Sequence, residues 1–210
     1  MKKQILATLL ATLALSSQAA NITPVRADIG IKTPTSTERV AIFYIDNNDD
    51  QDTIVKVQVS KWSQDGETAT TELFASTPIA RVPKGARVPV KLIFKGQRTD
   101  TQQTFRVLFQ EQNTQLVDGI SIRPGYSIPV FIEPTVPKAP NIHYENEQGT
   151  YIIRNDGNAT IPLKTTERMR QIASRNKDSF KYFYILPHSQ ISIKDKTDMQ
   201  YIKDLIDAQE

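Results

Sequence analysis

LVDGISIRPGYSIPVFIEP, residues 116–134, decides how the chain folds. Leu116, Ile120 and Ile122 share one parity ahead of Pro124-Gly125, and Ile128, Val130 and Ile132 keep it beyond. Alternation with period two marks a half-buried β-strand, so the stretch reads as one long strand with a proline-glycine break inside it. At a sheet edge such a strand would present unpaired N–H and C=O groups beside a row of apolar side chains, which soluble proteins normally suppress as an aggregation hazard. Its retention predicts a use: a strand that can be lent to a partner, with self-association through the same edge as the accompanying risk.

Upstream of that stretch, six shorter runs alternate in the same way and are separated by turn-rich segments. They are ITPVRADIGI, RVAIFYIDN, TIVKVQVSKW, ELFASTPIARVP, RVPVKLIFK and TFRVLFQEQ. Val88, Val90, Leu92 and Phe94 alternate strictly, as do Phe105, Val107 and Phe109. Seven short strands with turn signals every dozen or so residues predict an all-β sandwich. Downstream, Pro134, Pro137 and Pro140 stand at three-residue spacing, which favours extended, semi-rigid backbone and cannot continue a central strand. The organisation expected is a leader over 1–19, a first domain over 20–133, a linker over 134–141 and a small second sandwich over 142–210. In that second part GTYIIRNDGNATIPL reads as a hairpin turning at Asp156-Gly157, and FKYFYILPHSQISI as further strands. TTERMRQIASRN has a helix-compatible composition, and DMQYIKDLIDAQE suits a short amphipathic helix through Ile202, Leu205 and Ile206.

The first twenty residues, MKKQILATLLATLALSSQAA, combine two lysines, an apolar run from Ile5 to Leu15 and small residues around a cut after Ala19, with a cut after Ala20 the close alternative. This is the pattern of a secretory signal peptide, too short to span a membrane, and it predicts an exported, periplasmic protein. Without Lys2 and Lys3 the 26 basic residues become 24 against 23 acidic ones, so the mature chain is almost neutral and carries no nucleic-acid signature. The chain has no cysteine, which excludes disulfides, thiol nucleophiles and thiolate metal sites.

Chemistry-bearing motifs are few. His143 and His188 are the two histidines, neither in a nucleophile pattern, and the chain has no GxSxG, HExxH or phosphate-loop sequence. Asp46, Asp49, Asp50 and Asp52 do not match an EF-hand and read as a solvated turn. The expectation is a binding protein with no enzymatic activity, no cofactor, no metal and no small-molecule substrate. Trp62 follows the Val55, Val57, Val59 run and suits a packed position in a sandwich.

Taken in order, ITPVRADI, VKVQVSKWSQDG, ELFASTPIARVPKGARVPVKLIF, TFRVLFQEQ and GISIRPGYSIPVFIEP, then TYIIRNDGNATIPL and YFYILP, resemble the strands of the periplasmic chaperones of chaperone-usher pilus assembly. KWSQDG and YSIPVF are most similar to the archaic branch. The resemblance implies two immunoglobulin-like β-sandwich domains in a boomerang arrangement, with pilus subunits and an outer-membrane usher as partners. It implies that Ile120, Ile122 and Pro124 stand where the family inserts residues into the subunit's incomplete sandwich. It also implies a basic anchor for the subunit's terminal carboxylate. Arg26 matches the family's first-strand arginine, Pro129 replaces the last-strand lysine, Arg106 on the sixth strand is a substitute and Arg123 a third candidate. Arginine suits the task because its planar fork pairs bidentately with a carboxylate leaving water. The alternative reading is a structural component of the pilus or surface fibre. Against it, residue 21 runs almost directly into a strand of the chain's own sandwich.

Overall fold

The computed structural model describes residues 20–30, 38–112, 115–117, 120–122, 125–177 and 183–209; in 115–117 and 120–122 only the backbone is described. The expected leader therefore lies outside the described residues.

Two sheets form the first unit. One has the order β1-β3-β8-β6, from β1 (Asn21–Thr23), β3 (Val40–Asp46), β8 (Arg87–Phe94) and β6 (Leu73–Ala75). The other has the order β2-β12-β9-β4-β5, from β2 (Ala27–Ile29), β12 (Gly125–Ile132), β9 (Gln103–Glu111), β4 (Thr53–Trp62) and β5 (Glu67–Ala69), and β7 (Ile79–Val82) also pairs with β4. The first run of the chain is shared between the sheets: β1 lies antiparallel to β3, and past Pro24 β2 lies parallel to β12. Alternation explains the core. Phe43 and Ile45, Val90 and Leu92, Phe105, Val107 and Phe109, and Ile128, Val130 and Ile132 all point between the sheets and are buried.

The long strand anticipated over 116–134 is divided. β10 (Gln115–Val117) and β11 (Ile120–Ile122) pair with each other as a two-stranded hairpin, Val117 opposite Ile120, and only β12 joins the large sheet. The sequence carries the signal for this in Asp118-Gly119, a dipeptide favoured in two-residue hairpin connections.

The second unit combines a three-stranded sheet, a two-stranded ladder and two helices. β13 (Ile142–Glu147), β14 (Thr150–Asn155) and β17 (Ser189–Ile193) make the sheet, and β15 (Ile161–Pro162) pairs with β16 (Tyr184–Ile185). α1 (Glu167–Arg175) is capped by the Thr166 hydroxyl, which accepts from the Met169 amide at 3.1 Å. α2 (Lys196–Asp207) is capped by Asp195. Met169 and Ile172 from α1 and Met199, Ile202 and Ile206 from α2 pack on Ile153, Ile191 and Ile193 of the sheet. The hairpin expected to turn at Asp156-Gly157 does not form, because β14 pairs with β13 and β17 while β15 belongs to the other ladder. Gly157 has a different reason to be glycine. A Cβ there would stand 2.2 Å from the Ala139 carbonyl oxygen, so the connecting segment can pass this turn only if no side chain is present.

Candidate functional site

The outer face of the β2-β12-β9-β4-β5 sheet meets the second unit through a small apolar cluster. Trp62 of β4 and Phe131 of β12 lie 6.2 Å apart between ring centroids, and Tyr184 of β16 closes on both, edge-on to Trp62 at 5.5 Å and tilted to Phe131 at 5.8 Å. Leu186 completes the cluster, and Trp62, Phe131 and Leu186 are all buried. Trp62 thus faces away from the sandwich core. Its even number sets it on the opposite side of β4 from Val55, Val57 and Val59.

Both arginines expected from the sequence lie against this cluster. The Arg106 guanidinium sits 4.9 Å from the Trp62 ring centroid and Arg26 sits 4.6 Å from that of Phe131. Strand register explains the convergence. Arg106 is opposite Pro129 in β12, two residues before Phe131, and β2 runs beside β12 with Asp28 opposite Phe131, so residue 26 precedes it on the same face. Stacking a guanidinium on an indole or phenyl face contributes about 0.5–2 kcal/mol and fixes the plane of the fork.

Polar contacts hold each fork further. Arg106 donates through Nε to the Ser127 hydroxyl at 2.8 Å and through a terminal nitrogen to the Ser127 carbonyl at 3.0 Å, with Glu67 at 3.7 Å. Its side chain is 11% exposed. Arg26 pairs bidentately with Asp28 at 2.8 and 2.6 Å and keeps 39% exposure. The hydrogen bond to Asp28 raises the Arg26 pKa above its ordinary value; burial opposes this, and the charges of Asp28, Tyr184 and Glu133 reinforce it. Planar guanidinium forks fit a carboxylate, and Asp28 already occupies that place on Arg26, so an incoming carboxylate would share Arg26 with Asp28 or displace it.

Beside Arg106, β12 offers backbone. Its Gly125–Ile132 length pairs with β9 throughout, whereas β2 covers only Val130–Ile132 on the other side. Among the described residues the Gly125–Pro129 edge is paired on the β9 side alone. β11 likewise has β10 as its one partner among the described residues. Pro124 and Arg123 lie outside the described residues, and so do the side chains of Ile120 and Ile122.

Sequence reasoning did not find the groups that lock the junction. Gln64 donates to the Tyr184 carbonyl at 3.4 Å and accepts from the Leu186 amide at 3.2 Å and from the Ser189 hydroxyl at 3.1 Å. Gln102 accepts from the Thr160 amide at 2.9 Å, and Asn158 donates to the Asp100 carbonyl at 2.9 Å. Polar residues in predicted turns carry no mark of this role, because their partners are some 60 to 125 positions away.

No family model matches the chain, and no curated protein matches it. Solved structures do. The complex of the CsuC chaperone with the CsuE tip adhesion subunit, from the archaic chaperone-usher Csu pili of Acinetobacter baumannii, matches with a TM-score of 0.63 at 17% identity, over 84% of this chain and 90% of that one. The fold is that of the chaperone-usher pilus chaperones. The Escherichia coli chaperone DraB matches with a TM-score of 0.61 at 13% identity, over 85% of this chain and 86% of that one. The Salmonella enterica complex of the SafA pilin with the SafB chaperone matches at 0.62 and 11% identity, over 83% of each chain. The all-β architecture expected from the strand pattern is thus matched across both units of these pilus chaperones.

Proposed function

We propose that this protein is a periplasmic chaperone that binds pilus subunits and delivers them to an outer-membrane usher. The observation that carries the reading is the juxtaposition of the Gly125–Pro129 edge with Arg106 and Arg26 on one aromatic floor. A subunit strand adds to that edge by main-chain hydrogen bonds, Ile120, Ile122 and Pro124 supply side chains to its open groove, and its terminal carboxylate reaches the arginines. The fold shared with known subunit chaperones supports the reading, as do the exported-protein leader pattern and the absence of nucleophile, phosphate-loop and zincin motifs. Residues 1–19 are the leader in this account, 20–133 the subunit-binding domain, 134–141 the linker and 142–210 the second domain.

Co-expression with candidate fimbrial subunits, followed by purification from the periplasm, tests it. The intact chain co-purifies with subunit. Replacing Ile120 and Ile122 together by Asp abolishes capture while the free protein still melts cooperatively, because two carboxylates entering an apolar groove cost several kcal/mol, on the order of 2–5. Arg106→Ala weakens capture by about 2–5 kcal/mol, since it leaves a desolvated carboxylate without its partner. Capture unchanged by Arg106→Ala and by Arg26→Ala would remove the anchor from the proposal. Unfolding of the first unit by the double Asp replacement would return the two isoleucines to the protein's own core.

A further inference from the structure

Glu111, the last residue of β9, shares the parity of Phe105, Val107 and Phe109 and therefore faces the sandwich interior at its end, where it is 7% exposed. Among the described residues no arginine, lysine or histidine forms an ion pair with it. Its hydrogen-bond partner is the backbone nitrogen of Ala20, itself 2% exposed and part of the same apolar core. A carboxylate in such a place with one neutral donor is a costly arrangement, and a cation at the position of that donor would resolve it.

The sequence supplies the cation. Ala20 directly follows the expected leader cut, and hydrolysis of the Ala19–Ala20 bond adds water across it. The hydroxyl goes to the Ala19 carbonyl carbon, and the hydrogen goes to the Ala20 nitrogen, which takes a further proton from solvent. We propose that Glu111 is the receptor for the α-ammonium group of Ala20, so that leader removal completes the first sandwich with a buried ion pair. The inference rests on the leader reading and chooses between its two cuts. A cut after Ala20 would remove the donor and leave the new amine about 3.3 Å further along an extended chain, on exposed Asn21. An ammonium also brings up to three donors where an amide brings one.

Two measurements test this. Mass analysis of the exported protein is expected to show Ala20 as the first residue; an N-terminus at Met1 would overturn the leader reading, and one at Asn21 or any other residue would overturn this inference while leaving export intact. The mature chain beginning at Ala20 is then melted with a free and with an acetylated α-amine, acetylation keeping one N–H while removing the charge. Acetylation is expected to lower the melting temperature by about 5 °C in the unaltered chain and by less than about 1 °C in Glu111→Gln. Equal melting of the free and acetylated unaltered chains overturns the proposal. That comparison decides by itself if Glu111→Gln fails to fold.

Discussion

Phe43, Phe94, Phe105 and Phe109 fill the space between the two sheets of the first unit, while the buried core of the second is aliphatic, with isoleucine and methionine from two helices laid on a three-stranded sheet. The first solution uses up one face of each sheet and leaves the other outward. The outer face of the β2-β12-β9-β4-β5 sheet holds both arginines and half of the aromatic cluster. In the second unit two helices pack on the three-stranded sheet beside the short β15-β16 ladder. What that unit adds to the arginine site is Tyr184 and Leu186, set against Trp62 and Phe131. The proposed binding surface thus lies on the first unit, and Tyr184 and Leu186 of the second pack against the aromatic floor beneath it.

The largest expected effect is on the aromatic core. Phe105→Ala should cost about 3–5 kcal/mol, because its ring is fully buried and packs on Phe94 at 6.1 Å. Calorimetry should show this in the transition of the first unit. If the second unit melts earlier by the same amount, the two cores act as one and the division fails.

Tyr184→Ala comes next, as a test of bracing. It removes two ring contacts, each worth about 0.5–1.5 kcal/mol, and frees one side of the cluster beneath the arginines. Trp62 is the chain's single tryptophan, so its fluorescence reports the change directly. Subunit capture should weaken with Tyr184→Ala and recover with Tyr184→Phe. If capture is indifferent to Tyr184→Ala, the second unit does not brace the site.

Thr166→Ala, at the start of α1, should cost about 1 kcal/mol through loss of the cap and leave Trp62 emission unchanged. A shift in that emission would show that helix packing is transmitted to the junction.

The smallest effect concerns Asp195. The Asp198 amide holds its carboxyl below the ordinary value near 3.8; desolvation opposes this, and the Thr197 amide and hydroxyl and Arg175 assist. A depressed pKa contributes stability that is present above the ordinary carboxylate value and is lost as pH falls through the folded value. Asp195→Asn should therefore be less stable than the parent at neutral pH, with the gap closing as pH falls from the ordinary carboxylate value through the lowered folded value, measured by denaturant titration across that range. A gap independent of pH would mean that the cap acts without its charge.

The outward direction of Arg106 was legible because it alternates with Phe105 and Val107, whereas Arg26, which lies between β1 and β2, was reached only through the resemblance of ITPVRADI to the family's first strand. Trp62 was harder. Reading it as an extension of the Val55, Val57, Val59 row overlooks its even parity, which sends it to the opposite face. Phe131 has outward parity in β12 and yet is fully buried, a contradiction the sequence contains but cannot resolve without Tyr184 and Leu186 from more than fifty residues away. The hairpin of β10 and β11 was masked by apolar residues that keep the same parity on both sides of Asp118-Gly119.

By itself the sequence determined the all-β class, the inward and outward faces of each long strand, and the placing of helices after Pro162, since periods of two and of 3.6 are local properties of the chain. Tertiary structure alone decided which strands share a sheet, that β14 and β15 part company, and that two arginines eighty positions apart converge on one aromatic floor. Local pattern fixes which way a side chain faces. What it meets there depends on register and on the docking of a distant segment, and those follow from burial summed over the whole molecule.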